Sequence, residues 1–316
     1  MSTNSTTGTS RRDADFNGAG ELQCRAHYRA LKSGELEDMQ SMMDYIKESG
    51  DPAIAYRWRR AVTDIKNILE TSAELYGDKP LFLQKFENDQ PFQEISYSKV
   101  LTDVNALGTA LIELGLKGKH VGVIGKNCYE WAESYLAVVC GTGVIVPLDK
   151  ELNEDELAHL TAGGELSAVI TMDKHYDMFK RIKDRDDNSL KLVINAGMHS
   201  HENEHKGLLS WHKLRERGYE LVEAGDRSFI DAEIVNTDLA VILFTSGTTG
   251  TSKGVMLSNR NISSNVMLAQ SFIDIQPGDV FFSVLPIHHT YECTCTFIEA
   301  MYCGATIAFC RGLKYI

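Results

Sequence analysis

Residues 239–254 read LAVILFTSGTTGTSKG. The first part is apolar without alternation, as a strand covered on both faces should be. The rest is glycine, hydroxyl and one ammonium. Glycine lets a backbone approach a ligand with no Cβ in the way, and successive N–H groups in a tight turn converge on one point. Gly247 and Gly250 suit that role. The hydroxyls of Thr245, Ser246, Thr248, Thr249 and Thr251 can rotate to meet phosphate oxygens, and Lys253 adds a full positive charge. Such a turn fits a polyphosphate. It is not a Walker loop, which sets glycine before and Ser or Thr after its lysine; Ser252 and Gly254 stand there instead. Nor is it the Gly-x-Gly-x-x-Gly of dinucleotide folds. A flexible linker could share this composition. This stretch, however, lies between a strong strand and the amphipathic helix expected over SNRNISSNVMLAQSF.

Working outward, strands and helices alternate. Tyr97, Val100, Val104, Leu107, Leu111 and Leu114 recur at three and four residues, one face of a helix begun by Ser96 and stopped by Gly115. HVGVIG, GVIVPL, SAVITM and KLVIN read as strands. YEWAESYLAVVC, a helix opened by Asn153 (NEDELAHL) and one through YDMFKRI separate them. That alternation implies right-handed crossovers and a parallel sheet. KPLFLQKF and PFQEIS read as strands around the turn ENDQ. They follow a helix, AYRWRRAVTDIKNILETSAELYG, that ends at Gly77. Residues 196–238 look polar and irregular, a surface excursion with one helix near LLSWHKLRERG; its HSHENEH fragment reads as a solvated loop, because it lacks the tight spacing of a metal site. Beyond the glycine loop, VFFSVLP and ATIAFC are expected strands and TYECTCTFIEAMYC a helix.

The bulk properties set limits. The 316 residues are 43% hydrophobic, enough for a sizeable core. A net charge of −12 argues against a nucleic-acid or anionic-membrane binder, whose surface needs a basic excess. Seven scattered cysteines, mostly in apolar runs, suggest reduced buried thiols and a cytoplasmic protein. No apolar run is long enough to span a bilayer. Residues 1–20 read as a disordered polar tail, 21–50 as a helical extension, and 51–316 as one large domain.

TSGTTGTSKGVMLSNRNI resembles the phosphate-binding signature of the adenylate-forming (AMP-binding) superfamily, which includes acyl-CoA synthetases and luciferases. The resemblance extends over about Tyr56 to Ile316. GKNCYEWA and the Leu-Pro-x-x-His-x-x-Glu form of LPIHHTYE are most similar to the long-chain fatty acyl-CoA synthetase branch. Ser252 and Asn259 depart from it, standing where proline and histidine are common. The resemblance implies an α/β fold, a partial large N-terminal domain of the acyl-CoA synthetase/luciferase type, with mostly parallel sheets flanked by helices. It implies that ATP activates a carboxylic acid, a medium- or long-chain fatty acid, to an acyl-adenylate that passes to coenzyme A, with Mg²⁺ bridging phosphate oxygens. Thr245, Ser246, Gly247, Thr248, Thr249, Gly250, Thr251 and Lys253 would hold the β- and γ-phosphates. His289 would border the acyl-adenylate.

Neighbouring residues invite plainer readings. His288 reads as structural, and adjacent histidines rarely share one zinc. Tyr291 and Glu292 divide evenly between lining the site and packing. Cys293 and Cys295 read as buried thiols. The family's Tyr-Gly-x-Thr-Glu block, ribose aspartate, hinge and small C-terminal domain find no counterpart, so the chain is expected to be an incomplete, inactive portion of its parent. Two alternatives remain: a nucleotide- or phosphate-binding fragment without catalysis, and an adenylation domain loading a carrier protein.

Overall fold

The computed structural model describes residues 60–86, 90–197, 207–245, 252–270, 273 and 275–310. The chain divides into units of residues 1–56 and 57–316, and every described residue belongs to the second. The expected tail, helical extension and HSHENEH fragment lie outside the described residues, as do Ser246 to Thr251.

Helix α1 (Ile65–Tyr76) starts later than its sequence pattern suggests. Asp64 caps it, accepting a hydrogen bond from Asn67 N at 2.8 Å, and the cap fixes the start. Arg60, expected inside the helix, instead turns its guanidinium to Tyr302 O at 2.7 Å and to Ser72 Oγ. Strands β1 (Pro80–Gln84) and β2 (Gln93–Ser96) lead to α2 (Tyr97–Glu113), whose cap is Ser96. Next come β3 (His120–Ile124), α3 (Tyr129–Ala137), a π-helical turn (Val138–Thr142) and β4 (Val144–Leu148). Helix α4 (Glu154–Gly163) opens with a full capping box between Asn153 and Glu156. Then follow β5 (Leu166–Thr171), α5 (Asp173–Lys183) and β6 (Leu192–Asn195).

Residues 196–238 are not merely a surface excursion. They carry β7 (Leu208–Ser210), which adds an edge to the sheet, and α6 (Trp211–Glu223), which packs on α2. Trp211 is fully buried and donates to Ser134 Oγ at 2.9 Å. Gly218 lets the two helices touch: a Cβ there would sit 1.9 Å from the Ala106 carbonyl oxygen. Phe229 is also buried. The charged face of α6 (Lys213, Arg215, Glu216, Arg217) masks this role in the sequence, because few apolar residues mark its inner stripe.

The chain continues through β8 (Leu239–Thr245), β9 (Lys253–Ser258), α7 (Asn259–Gln270) and β10 (Val280–Ser283). A π-helical segment (Glu292–Ile298) runs into α8 (Glu299–Cys303), and β11 (Thr306–Phe309) follows. Two sheets result. The larger has the order β7-β6-β5-β3-β4-β8-β9 and is parallel except for β9. The smaller has the order β10-β11-β1-β2, with β2 antiparallel. Ile124, Val146, Leu148, Val169 and Phe179 belong to the core packed on the large sheet. Among the described residues, no helix is long and apolar enough to cross a membrane.

Candidate functional site

The chain passes from β3 to β4 on one side, then crosses back to β5 on the other. In open α/β sheets, ligands bind outside the carboxyl ends of the strands at such a reversal. Strand β8 lies beside β4, with Ile145 level with Val241. Carrying that register forward sets Asp149 level with Thr245. The glycine–hydroxyl loop therefore leaves the sheet at the ligand edge.

Strand β8 pairs antiparallel with β9, and the last pair is Thr245 with Lys253. Thr245 Oγ1 donates to Lys253 O at 3.5 Å. A helix directly after the loop was expected; the structure has a hairpin. KGVMLS (Lys253–Ser258) forms a strand first, and α7 begins only at its far end. At roughly 3.3 Å per residue, the N-terminus of α7 lies about 15–20 Å from the loop. Its dipole contributes nothing to anion binding there, since that effect fades within one turn. Lys253 is exposed, and among the described residues no carboxylate lies within ion-pair distance of it. Ser246, Gly247, Thr248, Thr249, Gly250 and Thr251 lie outside the described residues.

The two histidines of LPIHH differ in setting. His288 is buried with Nε2 3.5 Å from Asp149 Oδ1, close but not hydrogen-bonded. Burial pushes its pKa down to about 4 and His289 adds to the effect, while Asp149 offsets only part of it. The ring is therefore neutral at pH 7, and the contact with Asp149 is not a charged pair. His289 is exposed, its ring centroid 4.5 Å from that of His288. Asp149 thus links the histidine segment to the carboxyl end of β4, next to the strand that carries Thr245.

Tyr291 is 65% exposed and free to face a ligand. Glu292 is committed to packing: it is buried and accepts from Ser283 Oγ at 2.6 Å and from Thr296 Oγ1 at 3.0 Å. Cys293 is a buried thiol, pushed up to about 12 by desolvation. Cys295 is partly buried. Sequence reasoning missed Asp149 and Asn127. Asn127 Nδ2 donates to Leu285 O at 2.6 Å and to Ser283 Oγ at 2.9 Å, and its Oδ1 accepts from Ile287 N at 3.1 Å. The only hint was its place in GKNCYEWA.

No group of three or more metal-ligating side chains exists among the described residues. A cleft of about 750 Å³ opens at the opposite, amino edge of the sheet. Its mixed charges, Lys119 and Lys191 with Glu165 and Asp186, give no preference for a polyanion.

Fold and edge together define a doubly wound α/β domain with a hairpin between Thr245 and Lys253 at the carboxyl edge of its larger sheet. A sequence profile of the AMP-binding enzyme family matches residues 69–314, and the chain belongs to that family. It is 28% identical over 261 residues to fatty acyl-CoA synthetase B of Dictyostelium discoideum, an alignment covering 77% of this chain and 37% of that protein. It is 30% identical over 242 residues to long-chain-fatty-acid–CoA ligase 5 of Rattus norvegicus, covering 71% and 34%. A chloroplastic long-chain-fatty-acid–[acyl-carrier-protein] ligase of Arabidopsis thaliana is 27% identical, covering 83% and 37%. The chain spans about a third of the length of these relatives. Among solved structures, the N-terminal domain of FACL13 from Mycobacterium tuberculosis shares the fold: TM-score 0.66, 20% identity, covering 80% of this chain and 58% of that one.

Proposed function

We propose that this chain is the nucleotide-holding part of an ATP-dependent acid–thiol ligase. A carboxylate oxygen attacks the α-phosphorus of ATP, the bond from that phosphorus to the bridging oxygen breaks, and pyrophosphate leaves with the electron pair. A thiol sulfur then attacks the acyl carbon of the resulting acyl-adenylate, the bond from that carbon to the AMP phosphate oxygen breaks, AMP leaves with the electron pair, and the thiol loses its proton. Catalysis of this kind rests on positioning and on neutralising charge. The hydroxyls and amides of Thr245 to Thr251, with Lys253, hold the β- and γ-phosphates and stabilise the departing pyrophosphate. His289 borders the adenylate from the other side of the edge. The observation that carries this reading is the Thr245–Lys253 hairpin mouth at the carboxyl edge, with an exposed Lys253 that no described carboxylate engages.

The substrate class follows from the relatives, named for long-chain fatty acids. Most name coenzyme A as the acceptor, and the Arabidopsis one names acyl-carrier protein. We assign coenzyme A here, with carrier-protein loading as the second reading. The six described cysteines are free thiols, which suits a cytoplasmic setting.

ATP is expected to raise the melting temperature of the 316-residue chain, because a ligand at a hundred times its Kd stabilises by about 2.7 kcal/mol. Lys253→Ala should abolish that rise. A melting curve indifferent to ATP, or a rise that survives Lys253→Ala, would refute the cradle. In the full-length protein, a fatty acid should drive ATP–pyrophosphate exchange.

A further inference from the structure

We propose that Asn127 is a positioning residue, the side chain that fixes where the His288–His289 segment stands on the carboxyl edge of the large sheet. The segment from Val284 to His289 has no helix or strand of its own. Pro286 at its centre has no N–H, so a donor is missing where the chain turns. The Asn127 carboxamide straddles that proline. Its Nδ2 donates to Leu285 O at 2.6 Å on one side, and its Oδ1 accepts from Ile287 N at 3.1 Å on the other. The amide thus does what a neighbouring strand would do, holding one acceptor and one donor of the backbone.

The assignment of the two ends of the amide is fixed by its partners. Ile287 N can only donate, and Leu285 O can only accept. The second Nδ2 bond, to Ser283 Oγ at 2.9 Å, leaves that hydroxyl free to donate to Glu292 at 2.6 Å. Glu292 also accepts from Thr296. One chain of bonds therefore runs from the loop after β3, across the end of β10, into the helical segment beyond. Asn127 is the member that reaches between the two sheets, since it follows β3 of the larger one and grips residues that follow β10 of the smaller one. His288 and His289 come directly after Ile287. Releasing the amide frees the His288 ring from its place beside Asp149, and His289 moves with it.

The effect on turnover rests on the ligase reading; the effect on geometry does not. Two measurements separate them. Gln84→Ala serves as the control. Gln84 accepts from Tyr129 N and donates to Glu130 at the start of α3, so its loss loosens the helix that begins two residues after Asn127 without removing a bond to residues 283–289. First, the imidazole titrations of the 316-residue chain are followed by NMR. His288 should protonate near 4 in the wild type and in Gln84→Ala, and move toward 6.5 in Asn127→Ala as the ring leaves its burial. Second, fatty-acid-driven ATP–pyrophosphate exchange is measured in the full-length protein. Asn127→Ala should lose kcat by about 10- to 100-fold with KM for ATP nearly unchanged, because a displacement of an ångström is enough for such losses. Gln84→Ala should keep kcat. If Asn127→Ala does not fold, Asn127→Asp keeps the shape and the acceptor for Ile287 and takes its place in the exchange assay. An unmoved His288 titration in Asn127→Ala, or an equal kcat loss in Gln84→Ala, overturns the proposal. Absent exchange in the wild type refutes the ligase reading instead, and the titration then decides on Asn127 alone.

Discussion

Two polar clusters join separate parts of this domain. One lies where α2, α3 and α6 meet. Asp103 and Glu133, both almost wholly buried, face Arg215, whose Nη1 is 3.1 Å from Glu133 Oε2 and 3.6 Å from Asp103 Oδ2. Asp103 also receives Tyr129 Oη at 2.6 Å, Tyr219 Oη and the Lys99 ammonium. The other is the Asn127–Ser283–Glu292–Thr296 chain. The first binds helices through an arginine shared by two buried acids; the second holds a loop through an amide and hydroxyls that converge on the single acid Glu292. Buried charge is costly to leave unpaired, so the first cluster should govern stability and its response to pH. A neutral amide costs less to lose, so the second should govern placement more than stability.

The largest expected effect is that of Arg215→Ala. It takes the guanidinium partner from buried Glu133, leaves Asp103 to Tyr129, Tyr219 and Lys99, and removes the guanidinium from above the Trp211 ring, 4.6 Å away. A loss of about 3 kcal/mol is expected by denaturant unfolding. A loss no larger than that of a surface substitution would erase the distinction between the clusters.

Next comes a pH effect. Burial pushes Glu133 up to about 8, and nearby Asp103 pushes the same way. Arg215 opposes but is shared between two acids, so desolvation prevails. A carboxyl raised in the fold holds its proton there after the unfolded chain has released its own. Its favourable contribution is complete below about pH 4.5 and fades as pH rises toward 8. Glu133→Gln removes this dependence. The melting temperature of the variant minus that of the wild type should therefore climb from pH 5 to pH 8. A constant difference would mean that Glu133 stays ionised throughout.

The smallest stability effect is expected at the second cluster. Ser283→Ala leaves one oxygen of Glu292 without its donor, at a cost of about 1–3 kcal/mol. Thermal unfolding should show a smaller drop than for Arg215→Ala. The reverse order would make the Asn127–Ser283–Glu292–Thr296 cluster the principal structural one.

Much of this was legible beforehand where local chemistry and burial agree. Asn153 announced α4, and Ser96 and Gly115 bracketed α2. The all-apolar run of β4 read as a strand hidden on both faces, and VIVPL is buried throughout. Legibility failed where a residue's role is set by another element rather than by its own. Residues 253–258 pair with β8 only because the loop folds them back, and their exposed Met256 gives no core signal. The inner face of α6 rests on Trp211, Leu214 and Gly218, too thin a stripe among charges to betray docking. Asn127 and Asp149 looked like ordinary loop residues until the segment after β10 came to lie on them.

The residue order by itself determined the alternating apolar runs that form a covered parallel sheet, and the concentration of glycine, hydroxyl and one lysine in the stretch that follows β8. Both follow from period, side-chain type and short-range backbone geometry. Only the tertiary structure decided which edge receives that turn, that a strand rather than a helix follows it, and which of two adjacent histidines is open to solvent. Those outcomes depend on strand register and on hydrogen bonds between separate elements, from the β8–β9 pairing to the Asn127 bonds, and no single-element pattern encodes them.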